Sequence, residues 1–480
     1  MANLIDIGKS GLTAYRQSLA VTGQNIANID TDGYKRREAT VAEVISSKGD
    51  VTSIASQTGL GVRIEGIRRS FDEFLLNKAR IATSNAGMAE SFSKNIGQIE
   101  DILLPGDANL GTAIGSFFSG LQEIANNPSD LSARTVALEK GRMIADSFVQ
   151  LSTLIQQVAD GTLEHAGREA TEINILTSQL ANLNQQISSS SSLQPNNSLF
   201  DTRDKVIDRI SELVAVTVSL TDKGAAKLQI GESTAGPVLV EANRARELGV
   251  NSSTEGVNYF LNSAMGPIFT SQVTKGSIAG LGQAFAATKV LIEEVDELAF
   301  DFARELNESH KKGIDLDGSA GGDLFRHVNV SILANQSNRG DTSAELTAVN
   351  HSLLNHSKVT FEYNSDQEVW SARNASGVIL ASGRERVSLP GAEFSFRGSP
   401  ANFDQFIFDP SSGSAKNLAF ALTRPQEFAA ASPTLVSADA SNQSDALMKA
   451  VVATSIVDTG LESVDKVFSN NLSSISSTQF

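Results

Sequence analysis

Cysteine is absent from the 480-residue sequence, and proline, tryptophan and histidine are scarce, with ten, one and five residues. The absence of cysteine excludes disulfides, thiolate zinc sites and cysteine nucleophiles. Stability must therefore come from packing and hydrogen bonding. The chain is longer than the size at which one hydrophobic core stops growing, which predicts several domains.

Long apolar runs and a basic leader are also missing. No stretch of about 18 uninterrupted apolar residues occurs, so we predict no membrane-spanning helix. The segment from Met1 to Ile29 lacks the features of a general secretory signal, because charged and amide residues interrupt its apolar positions. We expect a protein without membrane insertion that leaves the cell, if it does, by a specialised route.

Basic residues are outnumbered by acidic ones, 39 against 55, which gives a net charge of −16. No tract of lysine and arginine is dense enough to follow a phosphate backbone. Nucleic acid is therefore not an expected partner.

Motifs of catalysis and metal binding are absent as well. The five histidines form no HExxH pattern and no pair at ligand spacing with a carboxylate, and neither GxSxG nor GxxxxGK[ST] occurs. The run Asp315-x-Asp317-Gly318 resembles the start of a calcium loop but departs from it at Ser319, Ala320 and Arg326. We therefore predict no catalytic residue, no metal site and no cofactor, and expect a glycine-rich turn at this run.

A thin apolar seam lies at the amino terminus. Its residues recur every seven positions, and a second set follows each of them by three, which is the a/d spacing of a helix packing along a partner. The first set is Ile5, Leu12, Leu19 and Ile26, and the second is Gly8, Tyr15, Thr22 and Ile29. We expect this helix to become ordered only against another helix, although an amphipathic helix on its own domain core fits the same periodicity.

A stronger heptad follows later in the chain. It runs through Ala166, Ala170, Ile173, Leu176, Leu180, Leu183 and Ile187. It predicts one long helix that ends at the serine run 188–192, with a second helix opening at Asp201. The first 222 residues, which hold only three prolines, are predicted to be helical.

Period-two patterns appear from Val214 onward and predict short strands at 214–220, 226–230, 237–240, 358–363, 369–372, 378–381 and 404–408. Helical patterns return at 290–306 and again after residue 441. The predicted class is α+β and multidomain: an elongated, coiled-coil-like helical rod from the N- and C-terminal parts, with inserted β-rich domains. The predicted divisions are an N-terminal helix and turn (1–45), a helical rod domain (46–222), a small β-rich segment (223–275), a helical return (276–325), a β-rich surface domain (326–440) and a C-terminal rod helix (441–480).

Short motifs near the amino terminus carry a resemblance to a known family. They are Ser10-Gly-Leu-Thr-Ala-Tyr-Arg-Gln-Ser-Leu19, Asn25-Ile-Ala-Asn28 and Thr31-Asp-Gly-Tyr-Lys35. Together they resemble the amino-terminal signature of flagellar rod, hook and hook-associated proteins. Later blocks resemble the members that join hook to filament; they lie at 61–69, 71–75, 117–122, 127–129, 180–187, 201–204, 276–281 and 307–316.

The resemblance implies a structural subunit rather than an enzyme. Such a subunit is exported without a cleavable signal through the flagellar type III channel, helped by an export chaperone, and self-assembles outside the cell as a ring at the hook tip. Its implied partners are further copies, the hook protein and a second junction protein. The expected interaction residues are Ile5, Leu12, Leu19, Asn25, Ile26, Asn28, Gly33 and Tyr34.

Two alternatives stay open from the sequence. One is another flagellar axial protein, either the hook protein or the second junction protein, and the other is a peptidoglycan hydrolase attached to the flagellum. The resemblance also implies a closing heptad helix that pairs with the amino-terminal one. The sequence up to Phe480 does not contain it.

Overall fold

The computed structural model describes residues 4–31, 33–44, 61–70, 72–103, 109–189, 197–253, 256–327, 330–335 and 337–431. The chain divides into two compact units. The first unit comprises Met1–Ile96 and Asp160–Ala286, and the second comprises Gly97–Ala159 and Ala287–Phe480. Each unit is therefore assembled from segments that are distant in sequence.

Seven α-helices and seventeen β-strands lie in the described residues. The helices are α1 Leu4–Ala27, α2 Glu73–Leu103, α3 Leu110–Asn126, α4 Leu131–Ser189, α5 Asn197–Leu213, α6 Ser277–His310 and α7 Ser414–Asn417. The strands are β1 Arg37–Glu43, β2 Val62–Arg69, β3 Val216–Leu220, β4 Ala226–Ile230, β5 Val238–Glu241, β6 Arg244–Ala245, β7 Leu248–Ser252, β8 Val257–Leu261, β9 Ile268–Thr270, β10 Ile332–Ala334, β11 Ser343–Val349, β12 Val359–Asn364, β13 Val369–Arg373, β14 Ile379–Gly383, β15 Arg386–Leu389, β16 Ala392–Arg397 and β17 Gln405–Phe408.

The first unit begins with α1 and an antiparallel pair, β1 and β2. The two strands run in register from Arg37 opposite Arg69 to Glu43 opposite Val62, with a bulge after Thr40. The prediction that the first 222 residues are all helical was wrong for these two strands. Their half-buried positions recur at a spacing close to two, which favours a strand on a single packed face over a helix.

The carboxy-terminal part of α4 and all of α5 form the helical core of the first unit. The predicted heptad is confirmed: Ala166, Ala170, Ile173, Leu180 and Ile187 are buried on one face of α4. The opposing α5 buries Val206, Ile207, Ile210 and Leu213 and begins at Asn197, one turn before the predicted start at Asp201. The two sheets β3-β4-β5-β6 and β7-β8-β9 pack on this core, and their first three strands match the predicted period-two segments.

Helix α6 enters the first unit at a position where a side chain has no room. A Cβ added at Gly280 would collide with the backbone of Met88 and Phe92 on α2. The absence of that carbon lets the two helix backbones approach closely. The requirement for glycine at position 280 becomes visible only when its partner helix, α2, is known.

Aromatic side chains fill the helical core of the second unit. Phe117 of α3 packs edge-on against Phe325 and Phe420, and Phe302 of α6 packs against Phe148 of α4. Ring centroids in these pairs lie between 5.8 and 6.3 Å apart, within the range of favourable aromatic contacts. This cluster joins α3, α4 and α6 to the segments that flank the β-rich part of the chain.

The β-rich part of the second unit contains two antiparallel sheets. Their strand orders are β10-β17-β12-β13-β14 and β11-β16-β15. Inward-facing residues of both sheets make a separate core around the single tryptophan, Trp370, which stacks on Phe396 at 4.5 Å. Alternation along β12 and β16 supplies these side chains, as the period-two pattern requires.

A strap at residues 425–431 closes over the helices of the second unit, and buried His310 and Arg134 hold it. The Nδ1–H of His310 donates to the Gly322 carbonyl at 2.7 Å, and its Nε2 accepts the Ala429 N–H at 2.7 Å. The Arg134 guanidinium donates to the Phe428 carbonyl at 2.6 Å. Because Nε2 must accept, this arrangement requires a neutral imidazole.

The predicted α+β, multidomain class is confirmed. The predicted strands at 358–363, 369–372, 378–381 and 404–408 correspond to β12, β13, β14 and β17, and the predicted helix at 290–306 lies in α6. The expected turn at Asp315 is present, because its carboxylate accepts the N–H groups of Asp317 and Ser319. The C-terminal rod helix predicted for residues 441–480 lies outside the described residues, and the predicted domain boundaries stay a proposal.

Truncation of the α4 heptad tests the core of the first unit. Leu180 is fully buried, so Leu180→Ala is expected to lower the free energy of unfolding by about 2–5 kcal/mol through lost burial and a residual cavity. Ile175 lies on the same helix but is 64% exposed, so Ile175→Ala should change stability by less than about 0.5 kcal/mol. Denaturant unfolding followed by circular dichroism measures both. Equal effects of the two substitutions would show that the assigned face is wrong.

Protonation of His310 is expected to weaken the second unit. Burial chiefly lowers the pKa of His310 below its ordinary 6.5. Its contribution to stability is therefore complete above pH 6.5 and is lost as the pH falls toward the lower folded-state pKa. Between pH 7.5 and 5.5, we expect the free energy of unfolding to fall less in His310→Gln than in wild type, because the variant lacks the titrating imidazole. Denaturant unfolding followed by Trp370 fluorescence measures both proteins.

Wild type must be compared with His310→Gln because the titration of a second group, Asp296, changes the stability in the opposite direction. Burial raises the pKa of the Asp296 carboxyl to about 6, against the hydrogen bonds it accepts from Gly413 and Ala415. That shift makes the folded state gain relative stability as the pH falls. Identical pH dependence in wild type and His310→Gln would contradict the role given to His310.

Candidate assembly surface

Helix α1 presents two opposite faces of different composition. One face carries small or polar residues: Gly11, Ala14, Ser18, Val21 and Asn25. The other carries the predicted heptad of large apolar residues. Both stripes repeat every seven residues, so each keeps to one side of the helix along its full length.

The small-residue face packs on the strand pair of the same chain. Ala14 and Val21 are buried there, and Ser10 Oγ accepts the N–H of Val62 at 3.1 Å. Small side chains allow the helix backbone to lie close to the strands. Helix α1 thus packs on its own unit through this stripe, and not through the apolar seam from which packing on its own core was inferred.

Asn25 ties the end of α1 to the first strand. Its Nδ2 donates to the Arg37 carbonyl at 2.8 Å, and its Oδ1 accepts the Arg37 N–H at 2.9 Å and the Tyr34 hydroxyl at 2.9 Å. The amide thus pairs with both backbone groups of Arg37, as a neighbouring strand would. No other neutral side chain of this length offers both a donor and an acceptor in this geometry.

Three further predicted residues build the turn between α1 and β1. Asn28 Nδ2 donates to the Gln24 carbonyl, and Asn28 Oδ1 accepts a hydrogen bond from the Thr31 hydroxyl at 3.2 Å. Gly33 has φ of 80°, a conformation that glycine adopts without strain. The Arg37 guanidinium lies over the Tyr34 ring, 5.0 Å from its centroid. These contacts give Asn28, Gly33 and Tyr34 a local structural role, and their part in assembly stays a prediction.

The predicted apolar seam faces away from the unit. Ile5, Leu12, Leu19 and Ile26 are between 65% and 72% exposed, although leucine and isoleucine rank among the residues most often buried. Tyr15 and Ile29, from the interleaved set, are also exposed. A contiguous apolar stripe of this length is typical of a surface that another molecule covers. The structure therefore brings four of the eight predicted residues together on one open face.

A buried ion-pair network fixes the strand pair to α5. Asp201 accepts from Arg37 at 3.2 Å and from Arg69 at 2.9 Å, and Asp204 pairs with Arg69 at 2.8 Å. Asp204 also accepts from Arg203 at 2.5 Å. The arginines of the two strands and Arg203 of α5 therefore share the carboxylates of Asp201 and Asp204. These negative charges offset the cost of burying the guanidinium groups.

The Phe200 ring is part of the same network. The guanidinium groups of Arg69 and Arg203 both lie 5.3 Å from its centroid. Burial chiefly lowers the pKa of the Arg203 guanidinium, and the neighbouring Asp204 carboxylate opposes that shift. The motif Asp201-Thr-Arg203-Asp204, noted in the sequence only for its resemblance, is thus the support of the strand pair. Its partners Arg37 and Arg69 were not identified, because no local pattern links residues more than 130 positions apart.

The described part of the chain contains no group of three or more histidine, aspartate or glutamate side chains arranged to hold a metal ion. None of its helices combines the length and apolarity of a membrane span. The face of α1 and its turn is therefore the feature on which the functional argument rests.

Two family models match the chain. Residues 5–35 match the model described as flagella basal body rod protein, and residues 96–325 match the one described as flagellar hook-associated protein FlgK helical domain. The first match covers α1 and its turn. The second covers α3, α4, α5 and α6.

Relatives support both matches. Flagellar hook-associated protein 1 of Escherichia coli strain K12 is 27% identical over 449 residues, covering 90% of this chain and 80% of the relative. The Bacillus subtilis strain 168 protein of that name is 28% identical, covering 67% and 69%. The solved flagellar hook junction protein FlgK from Burkholderia pseudomallei superposes with a TM-score of 0.63 at 25% identity, over 75% of this chain and 66% of that one.

The rod-protein match, the exposed seam of α1 and the α+β fold together define the class as a flagellar axial protein. Within that class, the helical-domain match, the relatives and the solved structure agree on one branch. Over most of its length, the chain is similar to flagellar hook-associated protein 1.

Removal of one buried carboxylate tests the support of the candidate surface. Asp204→Asn should lower the free energy of unfolding of the first unit by about 3–5 kcal/mol, because Arg69 and Arg203 then lose a buried counter-charge. Glu212→Gln removes an exposed partner of Arg209 and should cost less than about 1 kcal/mol. Hydrogen exchange resolved by peptide across β2 and α5 measures both. Unchanged protection in Asp204→Asn would contradict the assignment.

Proposed function

We propose that this protein is a structural subunit of the bacterial flagellum that self-assembles at the hook tip as the hook-filament junction. The observation that carries the proposal is the outward seam of α1. Four large aliphatic side chains stay exposed on a helix whose opposite face is already occupied. Full burial of each against a partner contributes about 1.5–3 kcal/mol.

The occupant of the seam is proposed to be another axial helix, either from a neighbouring copy or from the carboxy-terminal part of the family's chain. The heptad spacing suits a helix better than a strand or a loop, because a and d residues interlock with a second helix. Asn25, Asn28, Gly33 and Tyr34 would then act indirectly, by fixing the direction in which α1 leaves the unit. If each copy contacts the next through α1, the copies would form a ring at the hook tip.

The same proposal extends to partners and location. We infer contacts with the hook protein on one side and with the second junction protein on the other, outside the cell. Export through the flagellar type III apparatus, with an export chaperone and without a cleavable signal, accords with the interrupted amino terminus and with the lack of disulfides to re-form after passage. The names of the relatives support a flagellar location in general.

The alternatives carry less support. The hook protein and the second junction protein fit less well, because the helical-domain match and the Burkholderia structure both belong to the FlgK branch. A metal-dependent peptidoglycan hydrolase would need a cluster of metal ligands, and the described residues contain no group of three or more side chains that could hold a metal ion. We therefore propose a structural role without catalysis, which incubation of purified protein with cell-wall material would test.

Charges placed on the seam are expected to block assembly. In cells whose own gene is deleted, Leu12→Asp with Leu19→Asp should abolish motility and filament growth, since unpaired carboxylates inside a closed seam are costly. Circular dichroism of the purified variant should match wild type, because both positions are exposed in the isolated subunit. Swimming assays and electron microscopy of hook tips provide the measurement.

Thr13→Asp with Ala20→Asp is the matched control. These positions are also exposed on α1 but lie on its lateral face, one residue beyond each seam leucine. The control should support motility at close to the wild-type level. Normal filaments with the seam variant, or equal loss with the control, would show that the seam is not the assembly surface.

A further inference from the structure

The charged residues on one flank of the α1 seam are both basic. Lys9 and Arg16 each follow a residue of the interleaved set by one position, so they occupy e positions of the heptad, directly beside the apolar stripe. Both residues are exposed. In coiled coils, charges at these positions determine which partner a helix accepts and in which direction it runs. The flank therefore carries information about the molecule that covers the seam.

The charges of Lys9 and Arg16 are not used within the subunit. Neither side chain forms an ion pair with another residue in the described part of the chain. The one acidic residue of α1, Asp6, lies on the lateral face of the helix and is exposed as well. By contrast, Arg37 of the neighbouring strand pair is bound to a carboxylate of α5. The two flank charges are therefore available to a partner.

The opposite flank of the seam is turned toward the same unit. Its positions are Gly11, Ser18 and Asn25, which are half-buried and carry no charge. Asn25 is held there by its two hydrogen bonds to the backbone of Arg37. A helix that lies on the seam therefore meets charges of α1 on one side only, where Lys9 stands one heptad before Arg16.

A second copy of α1 does not match this flank. Two α1 helices that pair antiparallel bring their e flanks together, and two that pair parallel bring an e flank against a g flank. The e positions of α1 are basic residues or glycine, and its g positions are uncharged. Neither arrangement offers Lys9 and Arg16 a carboxylate, so charge complementarity favours a different helix.

We propose that the seam is covered by a helix of another chain that carries carboxylates one heptad apart on the flank facing Lys9 and Arg16. This inference rests on the proposed function, because it names the partner of the same seam. The carboxylates must match the spacing of the two basic residues, which is about 10 Å along a helix axis. The apolar stripe supplies most of the affinity, and the charges select the partner, since exposed ion pairs are individually weak.

Synthetic peptides of about four heptads test the sign of the charge. Two peptides have leucine at every a and d position; one has glutamate at every e and g position and the other has lysine there. Like charges keep each peptide from pairing with itself. Fluorescence anisotropy measures their binding to the full chain at low salt. We expect the glutamate peptide to bind about tenfold more tightly, although the net charge of −16 favours the lysine peptide.

Charge reversal on the flank should reverse this preference. In Lys9→Glu with Arg16→Glu, the lysine peptide should bind about tenfold more tightly, and circular dichroism should match wild type because both positions are exposed. Lys78→Glu with Lys94→Glu is the matched control, with the same change in net charge at exposed residues of α2, and should keep the wild-type preference. Flank charges alter affinity only severalfold, so these variants are compared in solution rather than by motility.

Three outcomes overturn the inference. They are equal or tighter binding of the lysine peptide to wild type, no binding of either peptide, and binding of a peptide with the sequence of α1 as tight as that of the glutamate peptide. The seam itself is tested by Leu12→Asp with Leu19→Asp, which should bind neither peptide.

The seam variant separates failure of this inference from failure of the proposed function. If it loses binding while wild type shows no preference for glutamate, the seam is still the assembly surface and only the acidic partner is wrong. If it binds the peptides like wild type, the seam is not a helix-binding surface, and the proposed function loses the observation that carries it.

Discussion

The shared carboxylates of Asp201 and Asp204 are the interaction on which the amino-terminal structure depends. They hold Arg37 and Arg69, one from each strand of the pair, against α5. Because Asn25 pairs with the backbone of Arg37, the end of α1 is fixed through the same contact. The network that holds the strand pair on α5 therefore also fixes the end of the helix that carries the exposed seam.

This arrangement separates two requirements that a self-assembling helix faces. A helix with a narrow apolar stripe is marginal alone in water. Helix α1 gains support from its small-residue face, where Ala14 and Val21 are buried, while its large residues stay exposed. In the proposed assembly, a partner would meet a helix that is already formed, which reduces the ordering cost at the moment of binding.

The second unit follows a different principle. Its helices share an aromatic cluster, while the β-rich part has its own core around Trp370. The strap at 425–431 and the loop at 350–357 attach to the helices through histidines whose protonation states are set by their surroundings, neutral for His310 and paired with a carboxylate for His356. Polar contacts of this kind specify geometry more than they add stability, because each group must first be desolvated.

The sequence by itself determined the helices with strong periodicity, the short strands after residue 214 and the resemblance to flagellar hook-associated proteins, since these depend on local spacing and on short motifs. It identified the α1 heptad but not the opposite stripe of Gly11, Ala14 and Ser18, because small residues carry little hydropathy signal. It missed β1 and β2, whose faces become defined only when α1 and α5 pack on them. Only the tertiary structure decided that Arg69 meets Asp204 and that His310 meets the backbone of Ala429, because such contacts join residues far apart in the chain and leave no local pattern.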